Sequence, residues 1–119
     1  MVNVMVNDAP ALDRSFAALA HPLRRAIVER LATGPASVGE AARGFAVSKP
    51  AISRHLRVLE EAGVVSRSVD GRRHVLRLER HPLAGASEWI DRQRALWERK
   101  FDVIEEFLGE QSSDQEVEQ

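Results

Sequence analysis

Four side chains that donate hydrogen bonds stand close together in the stretch SKPAISRHLRVLEEAG, residues 48–63: Lys49, Ser53, Arg54 and Arg57. On a helix, positions three and four apart are surface neighbours, so these groups project from one side. The chemistry open to such a face is recognition of a polyanion. Arginine and lysine reach guanine O6 and N7, a serine hydroxyl adapts to several base edges, and cations neutralise phosphates. Lys49, Ser53 and Arg54 are the candidates for base edges, and Arg57 for a phosphate. Ser37 and Ser48 are placed to hold phosphates from helix N-termini, with Pro50 beside them in a first helical turn. Arg72 and Arg73 form a second basic point further along the chain. A solvated surface helix can carry the same residues, so the neighbouring elements decide between the two readings.

Other chemistries find less support. No paired carboxylates, nucleophile–base pair or glycine-rich phosphate loop occurs at a productive spacing. Glu60-Glu61 and Glu105-Glu106 are adjacent rather than convergent and read as solvated. The chain has no cysteine, which removes disulfides, thiol redox chemistry and cysteine-based metal sites. His21, His55, His74 and His81 fall on different elements without helical pair spacing, so no metal ion and no cofactor is expected. His55, at the edge of an apolar face, suits packing or a phosphate contact.

The 119 residues fit one domain, and the formal net charge of −1 conceals an asymmetry. Residues 21–81 carry 12 Lys/Arg against 6 Asp/Glu, while residues 82–119 carry 4 against 10. A basic middle beside an acidic end supports a localised polyanion-binding face. The N-terminal stretch MVNVMVNDAP has no basic region and no long apolar run, and no segment reaches the length of a membrane span. A cytoplasmic protein with no membrane partner is expected.

The elements that must position these residues follow from periodicity. Asn7 or Asp8 can cap a first helix through Leu12, Phe16 and Leu19. His21-Pro22 ends it and starts a second, in which Leu23, Ile27, Val28 and Leu31 form an apolar stripe and Arg24, Arg25, Glu29 and Arg30 line the outside. Gly34-Pro35 stops that helix. Ser37 with Glu40 three residues later has the pattern of a capping box, and Ala41 and Ala42 are small enough for close helix approach. After the turn Gly44-Phe45-Ala46-Val47, a second capped helix begins, its buried side marked by Ile52, Leu56 and Leu59. Helix, short glycine-containing turn and helix make a helix-turn-helix.

Past Gly63 the pattern alternates on either side of Asp70-Gly71, which predicts a hairpin with a tight primed turn. Its basic tip is either a wing that reaches a phosphate backbone or a solvated edge that discourages aggregation. The last element carries Trp89, Ile90, Leu96, Trp97, Phe101, Val103, Ile104, Phe107 and Leu108 in two adjacent heptad-spaced stripes. One stripe can cover the preceding helices, leaving Trp97, Phe101, Ile104 and Leu108 for a second copy of the chain. A wholly intramolecular helix is the other reading.

The expected fold is therefore mainly α with a small β-hairpin: a winged helix-turn-helix over residues 8–110. Its recognition helix spans 48–62, its wing 65–78 and its dimerisation helix 83–108, followed by a disordered acidic tail at 111–119. The segments LAHPLRRAIVERL, SKPAISRHLRVLEEAGVV and DGRRHVLRL resemble the ArsR family of bacterial transcriptional regulators, and the resemblance covers about residues 10–110. It implies a cytoplasmic homodimeric repressor, acting on its own promoter in some members, that binds an imperfect palindrome of double-stranded DNA. Many such proteins sense metals through a Cys-x-Cys whose positions here are Ser37 and Gly39, and another subgroup uses histidines of the last helix, of which residues 83–110 have none. The chain thus resembles the cysteine-free branch. A small-molecule effector, a protein effector, or none remain open. A winged-helix module that binds protein and not DNA is the alternative function.

Overall fold

The structure, a computed structural model, describes the backbone of residues 2–118 and the side chains of residues 10–110. Two compact units divide it, Met1–Ala86 and Ser87–Gln119. In chain order the elements are α1 (Val2–Leu19), α2 (Pro22–Leu31), β1 (Ala36–Ser37), α3 (Val38–Ala42), α4 (Lys49–Glu61), β2 (Val65–Asp70), β3 (Arg73–Leu78) and α5 (Arg80–Glu118). α1 begins at Val2, so Asn7 and Asp8, the expected caps, lie within the helix and not at its start, while the expected tail at 111–119 lies outside the residues described at side-chain level.

In the first unit one core joins all the elements. Ala18 of α1, Ile27 and Leu31 of α2, Ala41 of α3, Ile52, Leu56 and Leu59 of α4, Val64 between α4 and β2, Val65 of β2 and Leu76 of β3 are buried together. The apolar positions at helical spacing in α2 and α4 are the ones withdrawn from water, which supplies the main force holding the helices together. Ala41, 1% exposed, leaves α3 room to lie against α2.

Caps set the helix limits. His21 is extended and its Nδ1 accepts from the Leu23 N–H at 3.1 Å, while Pro22, in the first turn of α2, has no N–H to leave unpaired. The last carbonyls of α1 are taken by arginines of α2: Arg24 donates to Ala18 and Ala17, and Arg25 donates to Leu19 at 2.8 Å. These arginines, read from the sequence as an outer face, therefore close the α1–α2 corner. At the end of α4, Val64 N–H donates to Leu59 C=O at 3.0 Å and Gly63 N–H to Glu60 C=O at 2.9 Å. This is a Schellman closure, and Gly63 takes the φ of +73° that it requires.

The sheet holds three antiparallel strands in the order β1-β3-β2, one more than the hairpin expected. β1 pairs Ala36 with Leu76 and Ser37 with Val75; two residues leave no alternation for a sequence pattern to reveal. In the hairpin Asp70 pairs with Arg73, so Gly71 and Arg72 form the turn. Gly71 has φ +63° and no described non-glycine residue has positive φ, which fits a type II′ turn with glycine first. The tight primed turn is thus centred one residue later than Asp70-Gly71.

α5 begins at Arg80, three residues before the expected start, because Pro82 falls in its first turn and breaks no intrahelical bond. Along the part of α5 in the second unit, apolar residues are exposed on both stripes. Leu96 and Val103 are 48% and 64% exposed.

Candidate nucleic-acid interface

The helix-turn-helix is assembled around two serine caps. Ser37 Oγ accepts from Glu40 N–H at 3.1 Å and Ser48 Oγ accepts from Ala51 N–H at 3.3 Å. A hydroxyl that accepts in this way keeps its own O–H to donate, so both serines can cap and still reach a phosphate. The capping box is half formed: the Glu40 carboxylate goes to Arg73 at 2.9 Å instead of returning to the Ser37 backbone.

The turn between α3 and α4 is held from below by Arg30. Its Nη1 donates to Ala41 C=O at 2.9 Å, and its guanidinium lies 4.1 Å from the centre of the Phe45 ring. Sequence spacing alone put Arg30 on the outside; its reach to a backbone carbonyl eleven residues away left no local signal.

On α4 the two faces separate cleanly. Ile52, Leu56 and Leu59 are buried, whereas Ser48, Lys49, Pro50, Ser53, Arg54 and Arg57 are exposed. Lys49, Ser53 and Arg57 follow one another at four-residue intervals, with Arg54 on the adjoining row. None of these four, nor Arg72 at the hairpin turn, makes a side-chain hydrogen bond or ion pair with a described residue. Arg73 differs, because its pair with Glu40 ties β3 to α3. Arg67 of β2 is also engaged, with Glu60 at 2.6 Å.

His55 sits between Arg54 and the core side of α4. Its ring centroid is 4.4 Å from that of His21, and its Nδ1 is 3.1 Å from Arg24 Nη1. Burial, and then the charges of His21, Arg24 and Arg54, hold its pKa below the ordinary 6.5. This environment favours the neutral ring of His55, packed at the edge of the polar face of α4.

The apolar set Trp97, Phe101, Ile104 and Leu108 is 59%, 63%, 51% and 55% exposed along one face of α5 in the second unit. Among the described residues no three His, Asp or Glu side chains gather as a metal site, and no helix is long and apolar enough to cross a membrane.

Known proteins share this arrangement. A family model described as a helix-turn-helix domain matches residues 19–67. The HTH-type transcriptional regulator Rv2034 of Mycobacterium tuberculosis is 42% identical over 102 residues, spanning 86% of this chain and 92% of the relative. The crystal structure of an ArsR family transcriptional regulator, RHA00566, matches with a TM-score of 0.70 and 36% identity, over 74% of this chain and 97% of that one. A solution structure of the homodimeric winged helix-turn-helix DNA-binding domain of Mb0332 from Mycobacterium bovis, a possible ArsR-family regulator, matches with a TM-score of 0.58 and 26% identity, over 82% of this chain and 84% of that one. The chain belongs to the ArsR family of winged helix-turn-helix DNA-binding transcriptional regulators, which are not enzymes.

Proposed function

We propose that this chain acts in the cytoplasm as a homodimeric repressor that binds an imperfect palindrome with two copies of α4. The observation that carries this reading is the division of α4: an apolar face locked into the core, and an opposite face of Lys49, Ser53, Arg54 and Arg57 whose side chains have no hydrogen-bond or ion-pair partner among the described residues. Cationic donors left unpaired on an exposed helix are available to phosphates and base edges. In this reading Lys49, Ser53 and Arg54 meet bases, Ser37, Ser48 and Arg57 meet phosphates, and Arg72 reaches the backbone from the wing. Arg73 joins Arg72 when DNA competes with Glu40 for its guanidinium.

A palindrome requires two copies with their reading helices roughly 34 Å apart, one turn of the duplex. The exposed Trp97, Phe101, Ile104 and Leu108 supply a self-complementary apolar face for that pairing, and the homodimeric state of the Mb0332 domain supports it. A dimer seated over a promoter excludes polymerase, which gives repression. Footprinting on the DNA upstream of the protein's own gene tests the proposal. Two protected half-sites about one helical turn apart are expected; no protection at micromolar protein would favour the protein-binding module.

A further inference from the structure

Within Met1–Ala86, the described large apolar side chains left exposed are Val47, at 42%, and Val69, at 62%. A single exposed valine ordinarily means nothing. Val47 is different because of its surroundings. It stands one residue before the Ser48 cap and shares an open groove of about 420 Å³ with Ala42, Phe45 and Ile52, and with Lys49 and Ser53. The groove thus places an apolar recess against two of the side chains assigned to base edges.

Only one base matches that combination. In the major groove thymine alone presents a methyl group, beside an acceptor oxygen that a lysine or serine can bond. We infer that Val47 and the recess behind it receive a thymine methyl, making Val47 a specificity-determining residue that selects T at one position of each half-site. The inference rests on the proposed DNA-reading role of α4 and adds to it a contact that no hydrogen-bond donor supplies. The occupant is the DNA itself, because the recess is continuous with the reading face and Lys49 and Ser53 belong to both.

Deoxyuridine tests this directly, since it differs from thymidine by the methyl alone. The probe is the duplex that the full-length protein selects from a random-sequence pool, with each thymine replaced by uracil in turn. One position per half-site should lose roughly three- to fivefold in affinity, the effect of one buried methyl. In Val47→Ala the same replacement should cost nothing. Val47→Thr, which keeps the side-chain shape and one methyl, should retain part of the discrimination and guards against a folding defect in the alanine variant. Uniform tolerance of uracil, or equal sensitivity in the wild type and both variants, would overturn the inference while leaving DNA reading intact. Failure to select any sequence would instead remove the reading on which it rests.

Discussion

Arg24 Nη1 lies 3.1 Å from His55 Nδ1, while the remaining guanidinium nitrogens of Arg24 donate to the carbonyls of Ala18 at 2.7 Å and Ala17 at 3.0 Å. One side chain therefore ties the end of α1 to the middle of α4. Arginine only donates, so His55 Nδ1 is the acceptor and its ring proton is assigned to Nε2. Protonating Nδ1 destroys this bond and sets a second cation against Arg24 and Arg54. Because the folded pKa of His55 lies below the unfolded 6.5, the unfolded chain binds the proton more readily, and stability falls as pH drops below 6.5 towards the folded value. Thermal melts from about pH 8 down to about pH 5.5 should show this loss, and His55→Gln, which cannot acquire charge, should lose less. Identical pH slopes in the two proteins would assign the dependence elsewhere.

The Arg73–Glu40 pair, 60% and 48% exposed, makes a different kind of prediction. An exposed pair contributes at most about 1 kcal/mol, so Glu40→Gln should leave stability nearly unchanged. It should also release Arg73 and remove the negative charge beside it. Affinity for a random duplex should rise, with the salt slope steeper by up to about one unit. Weaker binding in low-salt titrations would show that Glu40 orients the wing productively.

Arg30 links α2 to the helix-turn-helix through the Ala41 carbonyl and the Phe45 ring. Truncation in Arg30→Ala removes both contacts and should cost about 1–3 kcal/mol in urea unfolding. Lysine restores the charge without the planar stacking and should recover only part of the loss. A variant as stable as the wild type would make these contacts incidental.

For the terminal helix, Trp97→Ala combined with Phe101→Ala should shift sedimentation towards monomer. Palindrome binding should fail with it, since one reading helix cannot engage two half-sites. A double variant that remains dimeric at the same concentrations places the subunit interface on other residues.

The signals legible in the sequence were those with a local cause. Ser37, Ser48, Pro22 and Gly63 act through their own or adjacent backbone, and each sits at the helix end that its chemistry dictates. The buried positions of α4 were likewise readable from their spacing. What escaped the sequence depends on distant partners. Arg30 reaches α3, Arg24 reaches α4 and Arg73 reaches Glu40, and long polar side chains carry no mark of which carbonyl or carboxylate will meet them. β1 carries no sequence signal because its two residues become a strand only by pairing with Leu76 and Val75. Val47 reads as turn filler until the groove beside it is seen.

Whether the polar face of α4 reads bases is tested by a comparison of Arg54→Ala with Arg72→Ala. Each variant is titrated against the selected duplex and a random duplex over a range of salt. Arg54→Ala should lose about 1–3 kcal/mol on the selected duplex and much less on the random one. Arg72→Ala should weaken both alike and flatten the salt slope by about one unit. Equal losses on both duplexes for Arg54→Ala would contradict base reading by this residue and reduce it to a phosphate contact.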